Sequence, residues 1–234
     1  MRRMIPNLCT SANLFFGMCS ILATFHGDYF FGSVFILIAL VADGLDGRIA
    51  RALNVVSELG KEMDSLCDLG SFGIAPAFLA YSFCMHHFGY YGSFAAILFA
   101  LCGMWRLARF NVNTSVVHGY FMGLAIPAGG CIVASTTLLF LALDIQPQNY
   151  GLVYPVTMIA VAYLMVSHVH YPDFKGGGEK LFPVAKIFAA MMFASIVYFA
   201  RTAPVQAVLT AVFSAYAVFG IINSLFALMN RQEE

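Results

Sequence analysis

Half of the acidic residues of this 234-residue chain lie in one short stretch, at spacings that put their carboxylates on shared helix faces. Six of its twelve Asp and Glu residues lie between positions 43 and 68. Asp43 and Asp46 are three positions apart, and Asp64 and Asp68 are four apart, so each pair lies on one face of a helix. Gly47 lies on the face of the first pair and lacks bulk, which lets two helices approach closely. We therefore expect four carboxylates to converge from two neighbouring helix ends.

Four carboxylates near a bilayer require a counter-charge, because each unpaired buried charge costs several kcal/mol. Two divalent cations balance four negative charges, and hard oxygen ligands favour Mg²⁺ or Mn²⁺. Such metals commonly bridge phosphates, and Arg51, on the face of Asp46, is placed to bind a phosphate. Two alternatives stay open: solvated or ion-paired acids at helix ends, and the ion or proton pathway of a transporter.

The composition indicates that these helices belong to a membrane protein. The residues AVILMFWYC make up 61% of the chain, charged residues make up 10%, and the mean hydropathy is +0.82. Soluble proteins average about 45–50% apolar and about 25% charged residues, so a soluble globular or disordered chain is excluded. Basic and acidic residues number twelve each, so the sequence lacks the excess of positive charge that is typical of nucleic-acid-binding proteins.

Long uncharged runs predict a single all-α domain over residues 1–234, a polytopic transmembrane bundle of about eight spans. Residues 4–27, 69–105, 110–143, 145–172 and 202–230 contain no Asp, Glu, Lys or Arg. The run 69–105 is too long for one span and must turn near residues 86–89. The predicted helices cover 8–27, 29–53, 60–85, 90–110, 122–143, 152–170, 183–200 and 203–230. The first run lacks a cleavage pattern and is expected to be a retained span.

The distribution of positive charge predicts the orientation in the cell membrane. With the N-terminus inside, eleven Lys and Arg residues fall in inner segments and only Arg201 falls outside. An even number of spans then puts both termini in the cytoplasm. The acidic stretch lies at the cytoplasmic ends of the second and third predicted spans.

The acidic stretch resembles the signature of the CDP-alcohol phosphotransferase family, D-x2-D-G-x2-A-R-x8-G-x3-D-x3-D. Every specified position is met, by Asp43, Asp46, Gly47, Ala50, Arg51, Gly60, Asp64 and Asp68. The resemblance implies a membrane enzyme that transfers a phosphatidyl-type group from a CDP-linked lipid to an alcohol and releases CMP. It also implies a homodimer.

The resemblance assigns roles to individual residues. It implies that two Mg²⁺ or Mn²⁺ ions are held by Asp43, Asp46 and Asp64, with Asp68 as the general base and a further ligand. It implies a nucleotide and diphosphate site formed by Asn7, Thr10, Gly47, Arg51 and Gly60.

Further stretches resemble the branch of this family that uses L-serine as the acceptor. They are residues 5–10, 106–111, 123–127 and 166–175. The expected reaction is therefore transfer of a phosphatidyl group from CDP-diacylglycerol to L-serine, giving phosphatidylserine and CMP. Glycerol phosphate and inositol phosphate remain open as acceptors, and an archaeal CDP-lipid remains open as the donor.

A free amino acid carries a carboxylate, which predicts a cation in the acceptor site. Arg106, Arg109 and Lys175 all fall at inner ends of predicted spans and are candidates for that contact. Asn111 is a candidate for orienting the hydroxyl or amino group. The alternative for each cation is an anchor that snorkels to lipid headgroups.

Overall fold

The computed structural model describes residues 4–53, 55, 57–113, 120–172, 183–199 and 201–230, and these residues are almost entirely helical. The helices are α1 (Met4–Phe25), α2 (Tyr29–Ala52), α3 (Glu58–Asp68), α4 (Ala75–Phe83), α5 (Gly89–Asn113), α6 (Ile126–Ala142), α7 (Val153–Val166), α8 (Pro183–Phe199) and α9 (Pro204–Asn230). A π-helical turn, Leu69–Ile74, joins α3 to α4, and 3-10 turns occupy Met85–Phe88 and Pro147–Tyr150. Two short strands, β1 (Tyr120–Met122) and β2 (His170–Pro172), complete the described elements.

Five helical stretches are long and apolar enough to cross a membrane, which confirms a polytopic helical membrane protein. They are Pro6–Phe25, Tyr29–Ile49, Glu58–Phe83, Met85–Val112 and Pro204–Leu225. The apolar helices α6, α7 and α8 have 17, 14 and 17 residues. At about 1.5 Å per residue they are shorter than a hydrocarbon core of about 30 Å. The number of eight spans therefore stays a prediction.

The predicted break in the long uncharged run is confirmed, because the 3-10 turn Met85–Phe88 separates α4 from α5. The predicted helix 60–85 differs from the structure, since the π-helical turn interrupts it directly after Asp68. Such turns insert an extra residue into a helix and occur frequently at functional sites. Ser71, Phe72 and Gly73 of this turn are buried.

The π-helical turn is where three helices meet. On α1, a Cβ atom added to Gly17 would lie 2.8 Å from Cα of Ser71, so the two backbones touch. On α6, a Cβ atom on Gly130 would lie 2.9 Å from the carbonyl oxygen of Phe72. Ser71 also donates a hydrogen bond from Oγ to the carbonyl oxygen of Asn13 (2.9 Å). These contacts fix α1 and α6 against the end of α3.

Strands β1 and β2 form a small antiparallel ribbon that the all-α prediction did not include. Phe121 lies opposite Tyr171 in the ribbon. The helices predicted over 122–143 and 152–170 are shorter for this reason. Helix α6 starts at Ile126, where Pro127 is tolerated in the first turn and Ala125 is extended (φ −60°, ψ 136°).

Tyr171 of the ribbon attaches helix α9 to the bundle. Its side chain is fully buried, and its hydroxyl donates a hydrogen bond to the carbonyl oxygen of Ala217 (3.2 Å). Its ring lies 5.1 Å from the ring of Tyr216. Helix α9 also packs on α6, and α8 packs on α9. The main apolar core lies among α2 and α4–α7.

Candidate active site

Three carboxylates from two helices converge at the junction of α2 and α3. One oxygen each of Asp43, Asp64 and Asp68 lies within 4.8 Å of the other two. Asp43, on α2, is close enough to act electrostatically on both partners from α3. Asp64 and Asp68 are one turn apart on α3, so the predicted convergence of the two helix ends is present for these three acids.

Asp68 is the most enclosed of the three and is held from α1. It is 7% exposed, and its Oδ1 atom accepts a hydrogen bond from Nδ2 of Asn13 (3.0 Å). Asn13 is itself fully buried, and its Oδ1 atom has no hydrogen-bond partner within the described part of the chain. Sequence reasoning missed Asn13. The available signal was a polar stripe along α1, where Asn7, Thr10 and Asn13 recur every three positions.

Asp46 lies beside this group rather than within it. Its Oδ2 atom accepts a hydrogen bond from Oγ1 of Thr10 (2.7 Å), and the residue is 6% exposed. The carbonyl oxygen of Pro6, one turn earlier in α1, lies 3.1 Å from the same hydroxyl oxygen and shares its hydrogen as a second acceptor. Asp46 acts electrostatically on Asp64, so the negative charge of the site extends over all four aspartates.

The acidic group has the properties of a divalent-cation site. Carboxylate oxygens are hard ligands of the kind that Mg²⁺ and Mn²⁺ prefer. Oδ1 of Asp64 is buried, and it has no hydrogen-bond partner among the residues described. Buried carboxylates repel each other in the absence of positive charge, whereas a divalent ion would compensate them. The residues present therefore fit a divalent cation.

A polar cavity of about 200 Å³ opens next to the acidic group. Four of the five residues predicted to bind the nucleotide line it together with two of the aspartates, namely Asn7, Thr10, Gly47, Gly60, Asp46 and Asp64. Ser57 caps α3 at the cavity wall, since its Oγ atom accepts a hydrogen bond from the backbone N–H of Gly60 (3.1 Å). Arg51 was also predicted here, but its side chain lies outside the described residues.

Lys61 also lines this cavity, although sequence reasoning counted it only as a topological charge. Its Nζ atom donates a hydrogen bond to the carbonyl oxygen of Asn111 on α5 (3.4 Å). Asn111 bonds α3 as well, because its Nδ2 atom donates to Oγ of Ser65 (3.0 Å) and to Oε2 of Glu62 (3.4 Å). Asn111 was predicted to orient the acceptor, and in the structure it joins α5 to α3.

Arg109 binds backbone carbonyl groups. Its Nη1 atom donates to the oxygen of Val166 (2.8 Å), and Nη2 donates to the oxygens of Met122 and Ser167 (3.1 Å each). These carbonyls lie at the end of β1 and the C-terminal end of α7, where helix carbonyls lack partners within the helix. Arg109 thus ties the ribbon and α7 to α5, and its role toward an acceptor stays a prediction.

Arg106, one turn earlier in α5, has different surroundings. It is 7% exposed, and its Nε atom has no hydrogen-bond partner within the residues described. Its guanidinium group lies 5.3 Å from the ring centre of Phe110, and it interacts electrostatically with Asp68 and Tyr216. Sequence analysis did not connect Tyr216, on α9, with the site. Lys175, the third predicted acceptor cation, lies outside the described residues.

Comparison with known proteins assigns the chain to a family. Residues 3–166 match the sequence model of the CDP-alcohol phosphatidyltransferase family. The chain is similar to the CDP-diacylglycerol–serine O-phosphatidyltransferase of Helicobacter pylori, with 34% identity over 229 residues (97% of this chain and 93% of the relative). The Bacillus subtilis protein of the same name is 34% identical over 172 residues (73% and 91%). The archaetidylserine synthase of Methanothermobacter thermautotrophicus is 36% identical over 176 residues (74% and 72%).

Replacing Arg109 by alanine is expected to destabilise the protein by about 2 kcal/mol, because hydrogen bonds from a charged donor to several carbonyls are lost. The measurement is thermal unfolding of the purified protein in detergent. Arg48→Ala, which removes an exposed arginine from α2, is the matched control and should unfold like the unmodified protein. Equal unfolding temperatures for the Arg109→Ala variant and the control would contradict the structural role.

Proposed function

The chain belongs to the CDP-alcohol phosphatidyltransferase family, and we propose that it transfers the phosphatidyl group of CDP-diacylglycerol to the hydroxyl group of L-serine. The products are phosphatidylserine and CMP. The observation that carries the proposal is the group of Asp43, Asp64 and Asp68 beside a polar cavity, within the residues that match the family.

The relatives support serine as the acceptor and leave a second candidate for the lipid. The Helicobacter relative aligns over 97% of the chain and is named for CDP-diacylglycerol and serine, which favours the diacyl donor. The Methanothermobacter relative is named for archaetidylserine, which supports an ether-linked CDP-lipid as the alternative donor. Both relatives are named for a serine product or substrate, so the acceptor is the same in either case.

We propose that Asp43, Asp64 and Asp68, with Asp46 alongside, hold two Mg²⁺ or Mn²⁺ ions. When bound, these ions supply positive charge that neutralises the diphosphate and the departing CMP. Asp46 is oriented for this role by Thr10, and Asp68 is oriented by Asn13. Both supporting residues come from α1, so α1 acts as the scaffold of the acidic group.

Asp68 is proposed to accept the proton of the serine hydroxyl group. The serine oxygen then attacks the phosphorus that carries the lipid, and a new P–O bond forms. The bond between that phosphorus and the oxygen shared with CMP breaks, and its electron pair leaves with CMP. A carboxylate is a weak base for an alcohol, so the proton must move late in a loose transition state. Ser65 and Cys67 lie beside the aspartates, but Ser65 is hydrogen-bonded to the amide of Asn111 and Cys67 is buried, which favours one direct displacement over a covalent intermediate.

Arg106 is the proposed partner of the serine carboxylate. It is buried and its Nε atom has no partner among the described residues, and a guanidinium forms strong, often bidentate hydrogen bonds with a carboxylate. Arg106 interacts electrostatically with Asp68, which supports a pose in which the serine carboxylate binds Arg106 and the serine hydroxyl group faces Asp68. Arg109 and Asn111 are engaged by the protein itself, so they support this pocket indirectly.

The proposal includes a homodimer in the cell membrane, with eight spans and with both termini and the site in the cytoplasm. The asymmetry of eleven inner cations against one outer cation supports this orientation. The orientation would expose the polar cavity to cytoplasmic serine and release CMP into water.

The direct test is an assay of purified protein with CDP-diacylglycerol, L-serine and Mn²⁺, in which CMP release is measured. Equal amounts of CMP and phosphatidylserine are expected, EDTA should stop the reaction, and added Mg²⁺ or Mn²⁺ should restore it. Glycerol phosphate and inositol phosphate serve as alternative acceptors, and the archaeal CDP-lipid serves as the alternative donor. Serine flux into sealed vesicles without CMP release would indicate a transporter instead.

Replacing Asp68 by asparagine should lower kcat about a hundredfold or more, which is the usual contribution of a general base. Binding of CDP-diacylglycerol should remain measurable by calorimetry. The control is Asp144→Asn, at an exposed position with φ +52° that asparagine accommodates, and it should keep normal turnover. Turnover of the Asp68→Asn variant at the normal rate would remove Asp68 from the base role.

Replacing Arg106 by glutamine should raise the KM for serine about tenfold and leave the KM for CDP-diacylglycerol unchanged, since one charged contact to the carboxylate is lost. Ethanolamine, which is serine without its carboxylate, provides an internal comparison. The preference for serine over ethanolamine should shrink in the variant and persist in an Arg48→Gln control. A parallel rise in both KM values would contradict an acceptor role for Arg106.

A further inference from the structure

Lys61 is a cation in the polar cavity that the family signature does not specify. It is half-buried at the start of α3 and lines the same cavity as Asp46 and Asp64. Among the described residues that line the cavity, it is the one that carries a positive charge. Such a cavity suits a phosphate group, because the ammonium group can bind it directly and the two carboxylates can bind it through a metal ion.

Along α3, Lys61 lies two helical turns from Asp68, the proposed general base. Lys61, Asp64 and Asp68 follow one another on one helix face, with one turn between neighbours. Lys61 and Asp68 are therefore about 10 Å apart along the helix axis. Asp64 stands between them and belongs to both the acidic group and the cavity, whereas Asp68 does not line the cavity.

The geometry of in-line displacement indicates which substrate group lies near Asp68 and which lies near Lys61. The attacking and leaving oxygens lie on opposite sides of the phosphorus. If the serine hydroxyl is at Asp68, the leaving oxygen points away from Asp68, past Asp64 and toward Lys61. The departing group is CMP, whose phosphate takes the electron pair of the broken P–O bond and gains negative charge.

We propose that Lys61 binds the phosphate of the CMP half of the donor and stabilises the charge that this phosphate gains as CMP leaves. This inference rests on the proposed function. The ammonium group donates a hydrogen bond to the backbone carbonyl oxygen of Asn111 (3.4 Å). A phosphate oxygen is the stronger acceptor, and charged pairs form shorter bonds. The N-terminal end of α3 adds its partial positive charge on the same side.

Comparing CMP with cytidine isolates the phosphate contact. We would measure CMP affinity by calorimetry with Mn²⁺, and cytidine affinity by displacement of CMP, on full-length protein in nanodiscs. Lys61→Gln should weaken CMP binding about tenfold to a hundredfold and leave cytidine binding unchanged. Lys61→Arg, which keeps the charge, should retain most of the affinity. Lys186→Gln, at an exposed lysine on α8, is the matched control.

Kinetics provide a second readout. In Lys61→Gln, kcat/KM for CDP-diacylglycerol should fall in proportion to CMP affinity, while the KM for serine should not change. If Lys61→Gln aggregates, the same affinities can be measured on Lys61→Met, which keeps the aliphatic length of lysine without its charge. Equal loss of CMP and cytidine affinity would overturn the proposal, and so would an unchanged CMP affinity in Lys61→Gln.

The two proposals fail in different ways. Unmodified protein that binds CMP but releases none from CDP-diacylglycerol and serine would refute the proposed function. Unmodified protein that releases CMP, together with a Lys61→Gln variant of normal CMP affinity, would refute only the role of Lys61.

Discussion

The close approach of negatively charged side chains at the end of a membrane bundle is the constraint on which the rest of the structure depends. Like charges repel more strongly as the surroundings become less polar, so the chain must hold Asp43, Asp64 and Asp68 together by other means. It does so by fixing the helices that carry them. Asn13 and Thr10 bind two of the aspartates from α1, and Ser71 binds the backbone of α1 in return.

Packing of small residues makes this arrangement rigid. Gly17 lets α1 touch the π-helical turn directly after Asp68, and Gly130 lets α6 touch the same turn. A turn that is clamped from both sides cannot slide along either neighbour without steric overlap. The direction of the Asp68 carboxylate is therefore set by contacts outside the helix that carries it, as a site with demanding geometry requires.

The sequence predicted those features that depend on short-range periodicity. The spacing of the aspartates brought three of them together, and the uncharged runs predicted the helical bundle. It did not reveal the contact of Asn13 with Asp68, the position of Lys61 at the cavity or the approach of Tyr216 to Arg106, because these depend on how α1, α3 and α9 are rotated against each other. The carbonyl contacts of Arg109 were hidden for a similar reason, since its partners lie 13 to 58 positions away. The sequence did not predict the π-helical turn, because the residues of this turn are equally compatible with a regular α-helix.

The attachment of α9 through Tyr171 has a consequence for biosynthesis. Membrane chains are made from the N-terminus, and the segments that carry the aspartates, Arg106 and the ribbon all precede α9. Until α9 emerges, Tyr171 lacks the carbonyl of Ala217 and the ring of Tyr216 that enclose it. The neighbourhood of Arg106 is thus completed only when the last helix inserts, so in a nascent chain the helices that carry the aspartates are made well before α9 can enclose Arg106 on that side.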